Sequence, residues 1–205
     1  MYLNEVKERV SSWEKSSVLA VKGQGKIALY NDHQSPLKYK EGETANVQWK
    51  WIHLPMKSQN RTINKVLVYN PTDKPVKVKL TIRYQMVERS AEVVYYSPSQ
   101  ESLIVHDQNA YALFGGITSQ GTHCSYLTTL VNDGDTVEVD YYQMQPIVQF
   151  SHGWGLDYEI ELEAYESGFF YEWEMKNEDL LWLEEAHSQY HNLLQTCQIP
   201  LDDKE

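Results

Sequence analysis

Apolar and polar residues alternate with a period of two through most of the middle of the chain, the repeat of a strand with one buried face. Residues 76–84 are the cleanest case: Val76, Val78, Leu80, Ile82 and Tyr84 share one face, and Lys77, Lys79, Thr81 and Arg83 the other. Residues 157–165 repeat the pattern with acids outside, Tyr158, Ile160, Leu162 and Ala164 alternating with Asp157, Glu159, Glu161 and Glu163. A strand region opens near Val18, and further β-branched or aromatic runs fall at 26–30, 45–54, 65–69, 92–96, 102–106, 111–114, 124–131, 136–142, 146–150 and 169–173. Ten or more strands with no helical stretch between them predict a mainly β fold, an antiparallel β-sandwich or jelly roll, and exclude βαβ architectures.

The pattern changes at the two ends. Leu3, Val6, Val10 and Trp13 recur at three- and four-residue spacing and predict a short helix over 1–16. Leu183, Ala186, Tyr190, Leu194 and Cys197 do the same and predict an amphipathic helix over 177–197, capped by Asn177 and stopped before Pro200. The reading is therefore one domain over 1–205, with the sandwich at 18–175. The turn-forming stretches Asn70-Pro71-Thr72-Asp73 and Asn132-Asp133-Gly134-Asp135 predict hairpins, and Gly115–Gly121 a loop between strands.

Composition adds limits. With 205 residues, 41% of them hydrophobic, the chain can bury a proper core. No run approaches the roughly 20 apolar residues of a membrane span, and the N-terminus lacks the apolar core of a secretory signal. The expectation is a soluble, cytoplasmic protein that does not engage a membrane. Cys124 and Cys197 are too few for a disulfide framework, so reduced thiols are expected.

The net charge of −11 is unevenly spread: Gly155–Glu205 holds 14 acids against Lys176 and Lys204, whereas Lys57–Glu92 holds eight bases against three acids. The row Lys77, Lys79, Arg83 has the spacing of successive phosphates, about 6.5–7 Å. Net acidity and the lack of a neighbouring aromatic platform argue against nucleic acid. The acidic row is spaced too widely for its carboxylates to surround one calcium ion. If their two strands are neighbours, the rows make cross-strand ion pairs worth little individually; if they face solvent apart, they are complementary patches, and the leading expectation is that they serve a protein partner or self-association into a homo-oligomer.

Other residues suggest ligand chemistry. Trp154, bracketed by Gly153 and Gly155 in a predicted turn, could line a sugar or small-ligand pocket with His152, Asp157 and Tyr158, or pack as a lid over the sandwich. Trp49 and Trp51 share a face with Val47, while Gln48 and Lys50 mark the wet side; that assigns both tryptophans to the core. Glu184, His187 and His191 stand at helical spacing within reach of one metal ion, although HSQYH lacks the glutamate that acts as general base in zinc-peptidase helices. A half-exposed helix edge explains the same three residues. No nucleophile elbow, dinucleotide loop or His-x-His pair occurs, so no cofactor is expected.

Two short pieces, Leu130–Val139 (LVNDGDTVEV) and Ser167–Tyr171 (SGFFY), resemble late-strand patterns of jelly-roll domains of the C1q and tumour-necrosis-factor type; they carry over neither function nor residues. The leading expectation is a non-enzymatic β-sandwich that acts through protein contacts as a structural or regulatory subunit. A carbohydrate or small-ligand-binding module is the alternative, and a metal-dependent enzyme the second alternative.

Overall fold

The computed structural model describes residues 13–31, 39–54, 56, 60–87, 90–121, 124–131 and 141–196. In chain order the strands are β1 (Trp13–Val21), β2 (Gly25–Asn31), β3 (Tyr39–Thr44), β4 (Val47–Leu54), β5 (Arg61–Tyr69), β6 (Val76–Met86), β7 (Ala91–Ser97) and β8 (Ser102–Asp107). They continue with β9 (Ala110–Thr118), β10 (Cys124–Leu127), β11 (Thr129–Val131), β12 (Tyr141–Gln143), β13 (Ile147–Ser151), β14 (Gly153–Leu162) and β15 (Ser167–Asn177), and α1 (Leu180–Thr196) follows. A five-stranded sheet in the order β10-β14-β6-β1-β2 faces an eight-stranded sheet in the order β13-β7-β8-β9-β15-β5-β4-β3, with β11 and β12 pairing separately. The β-sandwich expectation holds.

Alternation sets the layers. In β6 and β14 the apolar set Val78, Leu80, Ile82, Tyr84, Trp154, Leu156, Tyr158, Ile160 and Leu162 is buried between the sheets. From the larger sheet, Trp49, Trp51, Val66, Val68, Phe114 and Phe170 meet it, as the core assignment of the two tryptophans requires. The outward face of β9 and β15 is also apolar, and α1 covers it, building a second core from Leu113, Trp173, Met175, Leu183, Ala186 and Leu194. The result is three layers in which β8, β9 and β15 of the larger sheet are buried on both faces, which explains their nearly continuous apolar runs.

Several local expectations change. Residues 1–12 lie outside the described residues, and 13–16 are strand, because Trp13 faces the inter-sheet core and Lys15 and Ser17 continue the period of two. Helix α1 begins after Asp179, whose Oδ1 accepts from the amides of Leu181 (2.9 Å) and Trp182 (3.3 Å); Asn177 instead accepts from the Asp179 amide (2.9 Å). Asp179 is therefore the cap. Residues 115–118 belong to β9, and 70–73 form no hairpin, since β5 and β6 lie in different sheets. The stretch 132–135, most of Leu130–Val139, and Cys197 fall outside the described residues. Among the described residues no helix is long and apolar enough to cross a membrane.

Where the chain changes sheets, a polar clamp replaces strand pairing. Asn70, fully buried, donates through Nδ2 to the carbonyls of Lys74 and Glu163, both at 2.8 Å, and its Oδ1 accepts from the Thr72 amide (3.1 Å) and hydroxyl (2.7 Å). It thus ties the β5–β6 crossing to the β14–β15 crossing, where the Asn70 amide donates to the Glu166 carbonyl at 2.9 Å. Truncation strands several carbonyls at once. Asn70→Ala is expected to lower stability by about 2–4 kcal/mol, read as a shifted urea midpoint; an unchanged midpoint would show that the clamp holds nothing.

Candidate functional site

The two charged rows are neighbours. Strands β14 and β6 pair in antiparallel register with Glu159 opposite Lys79, Glu161 opposite Lys77 and Gly155 opposite Arg83. Lys77 reaches Glu161 at 3.2 Å, Lys79 reaches Asp157 at 2.8 Å and Arg83 reaches Asp157 at 2.7 Å. The Lys77–Glu161 pair is well exposed and contributes little to stability. Its importance is negative, because rows that pair with each other do not form separate patches for a partner or a nucleic-acid backbone. Glu163 lies past the end of β14, where its amide donates to Glu166 Oε2 at 2.7 Å.

Asp157 is the polar centre of this face. Only 14% of its side chain is exposed, and it stands between two cations. Burial alone raises its pKa, but hydrogen bonds and charge from Arg83 and Lys79 outweigh burial and hold the carboxyl below its usual value. Arg83 is itself fixed: Nη1 donates to the carbonyls of Ile82 (2.9 Å) and Leu156 (3.3 Å), and its stem crosses Gly155, where a Cβ would come within 2.8 Å. Gly155 therefore gives the guanidinium room to lie against the sheet. Beside it, Lys79, Cys124, Ser125, Asp157, Tyr158 and Glu159 line an open groove of about 370 Å³. Desolvation pushes the Cys124 thiol up to about 12, so it offers no thiolate nucleophile.

The grouping of His152, Trp154, Asp157 and Tyr158 is corrected. Trp154 and Tyr158 are fully buried on the inner face, Asp157 points to the outer face, and His152 is exposed at the start of β14. Gly153 and Gly155 sit within β14 rather than in a turn, so Trp154 stays in phase with Leu156 and Tyr158. Its ring contacts Trp13 (5.3 Å), Phe114 (5.5 Å) and Tyr84 (5.9 Å), partners that fix it in the core. Asp157 alone of the four projects into the groove as a side-chain ligand group.

The metal grouping is corrected as well. His187 lies on the buried face of α1, and both ring nitrogens are engaged: Nδ1 accepts from Trp173 Nε1 at 3.1 Å and Nε2 donates to the Gln100 carbonyl at 2.6 Å. Those partners assign the neutral tautomer. No nitrogen is left for a metal, and among the described residues no cluster of His, Cys, Asp and Glu could hold one. His191 packs its ring against His187 at 6.2 Å, and Glu184 lies on the same helix.

A buried polar cluster escaped the sequence reading. Lys15 of β1 meets Glu172 of β15 at 2.5 Å between the sheets, Asn64 also donates to Glu172, and His53 Nδ1 lies 2.8 Å from Asn64 Oδ1. The signal was in phase: Glu172 shares a strand face with Phe170, as Lys15 does with Trp13. Its inward direction was masked by the rule that charges face out. Gly115 and Gly116 serve this packing, because a Cβ at Gly115 would meet His187 and Trp173, and one at Gly116 would meet the Tyr158 hydroxyl.

No protein-family profile matches the chain, and no curated protein matches it. Two solved structures are similar to it over most of its length. One is a candidate kojibiose phosphorylase from human microbiome, with TM-score 0.46 and 11% identity over 88% of this chain and 25% of that one. Another is a polysaccharide lyase, with TM-score 0.45 and 9% identity over 81% of this chain and 26% of that one. The chain spans about a quarter of the length of each. The expectation of a sandwich acting through protein contacts is corrected by the geometry: the charge rows on which it rested pair with each other across β6 and β14.

The buried histidine has a pH consequence. Burial drives the His187 pKa down from 6.5 to about 4, and the neighbouring His191 adds to the shift. Because the folded value is depressed, the contribution to stability is complete above about pH 6.5 and is lost as pH falls toward 4, on the order of 3 kcal/mol in all. Urea unfolding from pH 7 to 4 should show a steeper loss for the native chain than for His187→Gln; parallel curves would show that His187 does not titrate in this window.

Proposed function

We propose that this β-sandwich is a carbohydrate or small-ligand-binding module and that its ligand lies in the groove on the outer face of the five-stranded sheet. One observation carries the proposal: the groove of about 370 Å³ surrounds Asp157, a carboxylate kept ionised and oriented by Lys79 and Arg83. A fixed acceptor beside a cationic donor is what a hydroxyl-bearing ligand requires, since each hydroxyl donates one hydrogen bond and accepts others. Exposed Ser125 and Glu159 extend the same chemistry along the groove. Charge-assisted bonds from Asp157 and Lys79 would supply most of the orientation.

The reading is one of binding rather than cleavage. Hydrolysis of a glycosidic bond uses a protonated carboxyl as general acid, and the two cations favour the opposite state of Asp157. Trp13, Trp49, Trp51, Trp154 and Trp173 are buried in the cores, so indole fluorescence is a poor reporter of this surface. Backbone amide shifts are a better one. Pools of soluble oligosaccharides are expected to perturb Ser125, Asp157 and Glu159 together, and Asp157→Ala to abolish the response. Silence across the pools, or shifts confined to another face, would remove the groove as the binding site.

A further inference from the structure

Charge and spacing within the groove define the ligand more narrowly, on the premise that the groove is the binding site. Lys79 and Arg83 contribute two positive charges around it, and Asp157 and Glu159 two negative ones. Glu159 stands opposite Lys79 in the register, and Asp157 already contacts both cations. An acidic sugar entering here would meet the Asp157 and Glu159 carboxylates, and its own carboxylate could reach Lys79 only by competing with Asp157. An amino sugar would face Lys79, find Asp157 already compensated and meet only the exposed Glu159 carboxylate, where an ion pair contributes little. Both signs lose, because desolvating a charge without a new partner is costly.

Spacing selects further among neutral ligands. Lys79 Nζ and Asp157 Oδ2 are 2.8 Å apart, close to the separation of two neighbouring hydroxyl oxygens on a pyranose ring. We infer that the groove reads a vicinal diol on a neutral sugar, one hydroxyl donating to Asp157 and its neighbour accepting from Lys79. Arg83 is a positioning residue in this arrangement: its bonds to two backbone carbonyls hold the guanidinium against Asp157, and through it the carboxylate. Ser125, opposite Asp157 on β10, offers a hydroxyl on the far side.

Calorimetry tests this with neutral gluco-, manno- and xylo-oligosaccharides beside oligogalacturonate and chitosan oligomers of equal length. A neutral series is expected to bind at least about tenfold tighter than either charged one. Its affinity should stay within about twofold between low and high salt, because no net charge is exchanged. Lys79→Met, which keeps the stem and removes the donor, should weaken neutral binding by about tenfold in a chain that still unfolds cooperatively, at a midpoint somewhat lowered by the loss of its pair with Asp157. Tighter binding of a charged oligomer overturns the inference and leaves the groove in place as the site. Neutral binding untouched by Lys79→Met overturns the diol assignment. Absence of heat with every oligomer removes the binding reading itself.

Discussion

The buried ion pair of Lys15 and Glu172 is the constraint on which the alignment of the sandwich turns. Lys15 belongs to β1, which is in register with β6 and through it with β14; Glu172 belongs to β15, which is in register with β5 and β9. One contact of 2.5 Å therefore couples four other strands across the inter-sheet space. A slip of one residue in β1 or β15 would turn one charge out of the interior and leave the other there alone, a penalty of several kcal/mol. Apolar contacts favour packing of the sheets in general; this pair favours one alignment. Asn64, bound to the same Glu172 oxygen, extends the constraint to β5, and Lys176 over the Trp13 ring at 3.9 Å anchors the start of β1.

The periodicity of single strands was legible in the sequence because it depends on local alternation alone. The faces of β6, the apolar phase of β14 from Tyr158 onward and the arc of α1 all follow from it. Which strands lie side by side is non-local, and alternation alone leaves it open. Separated by more than 70 residues in sequence, the basic and acidic rows read equally as two patches or as cross-strand partners, and the register makes them a single ladder. A clue existed: the rows have equal spacing and opposite sign, the pattern expected of cross-strand partners. At Trp154 the reading failed. Its flanking glycines suggested a turn, yet Trp154, Leu156, Tyr158, Ile160 and Leu162 keep an unbroken period of two.

Glycine misled at 115 and 116 too, where close approach rather than turning is the physical need. Gly115 admits the His187 and Trp173 rings on the helix side of β9, and Gly116 admits the Tyr158 hydroxyl on the sandwich side. The strand thus thins in succession on both faces. That thinning allows a neutral histidine to bridge Trp173 and the Gln100 carbonyl, and so to join α1 to the larger sheet through polar contacts inside an apolar layer. Spacing on one helix could suggest His187 as a metal ligand. Its actual partners come from two other segments, invisible to helical periodicity.

The candidate site draws on the same ladder that joins β6 to β14, so its geometry follows from the fold rather than from a flexible loop. Asp157, Lys79 and Arg83 are spaced by strand pairing, and Arg83 is further held by two carbonyls and by the absent side chain of Gly155. A ligand arriving there has little side-chain motion to freeze at Asp157, which lowers the entropic cost of binding. It must instead compete with the ion pairs already made. Competition of that kind penalises a charged ligand, which has to displace a partner, more than a neutral one, which can add hydrogen bonds to unused lone pairs and protons of Asp157 and Lys79. The internal pairing that cancels the rows as docking patches is therefore what gives the groove a rigid, neutral and polar floor.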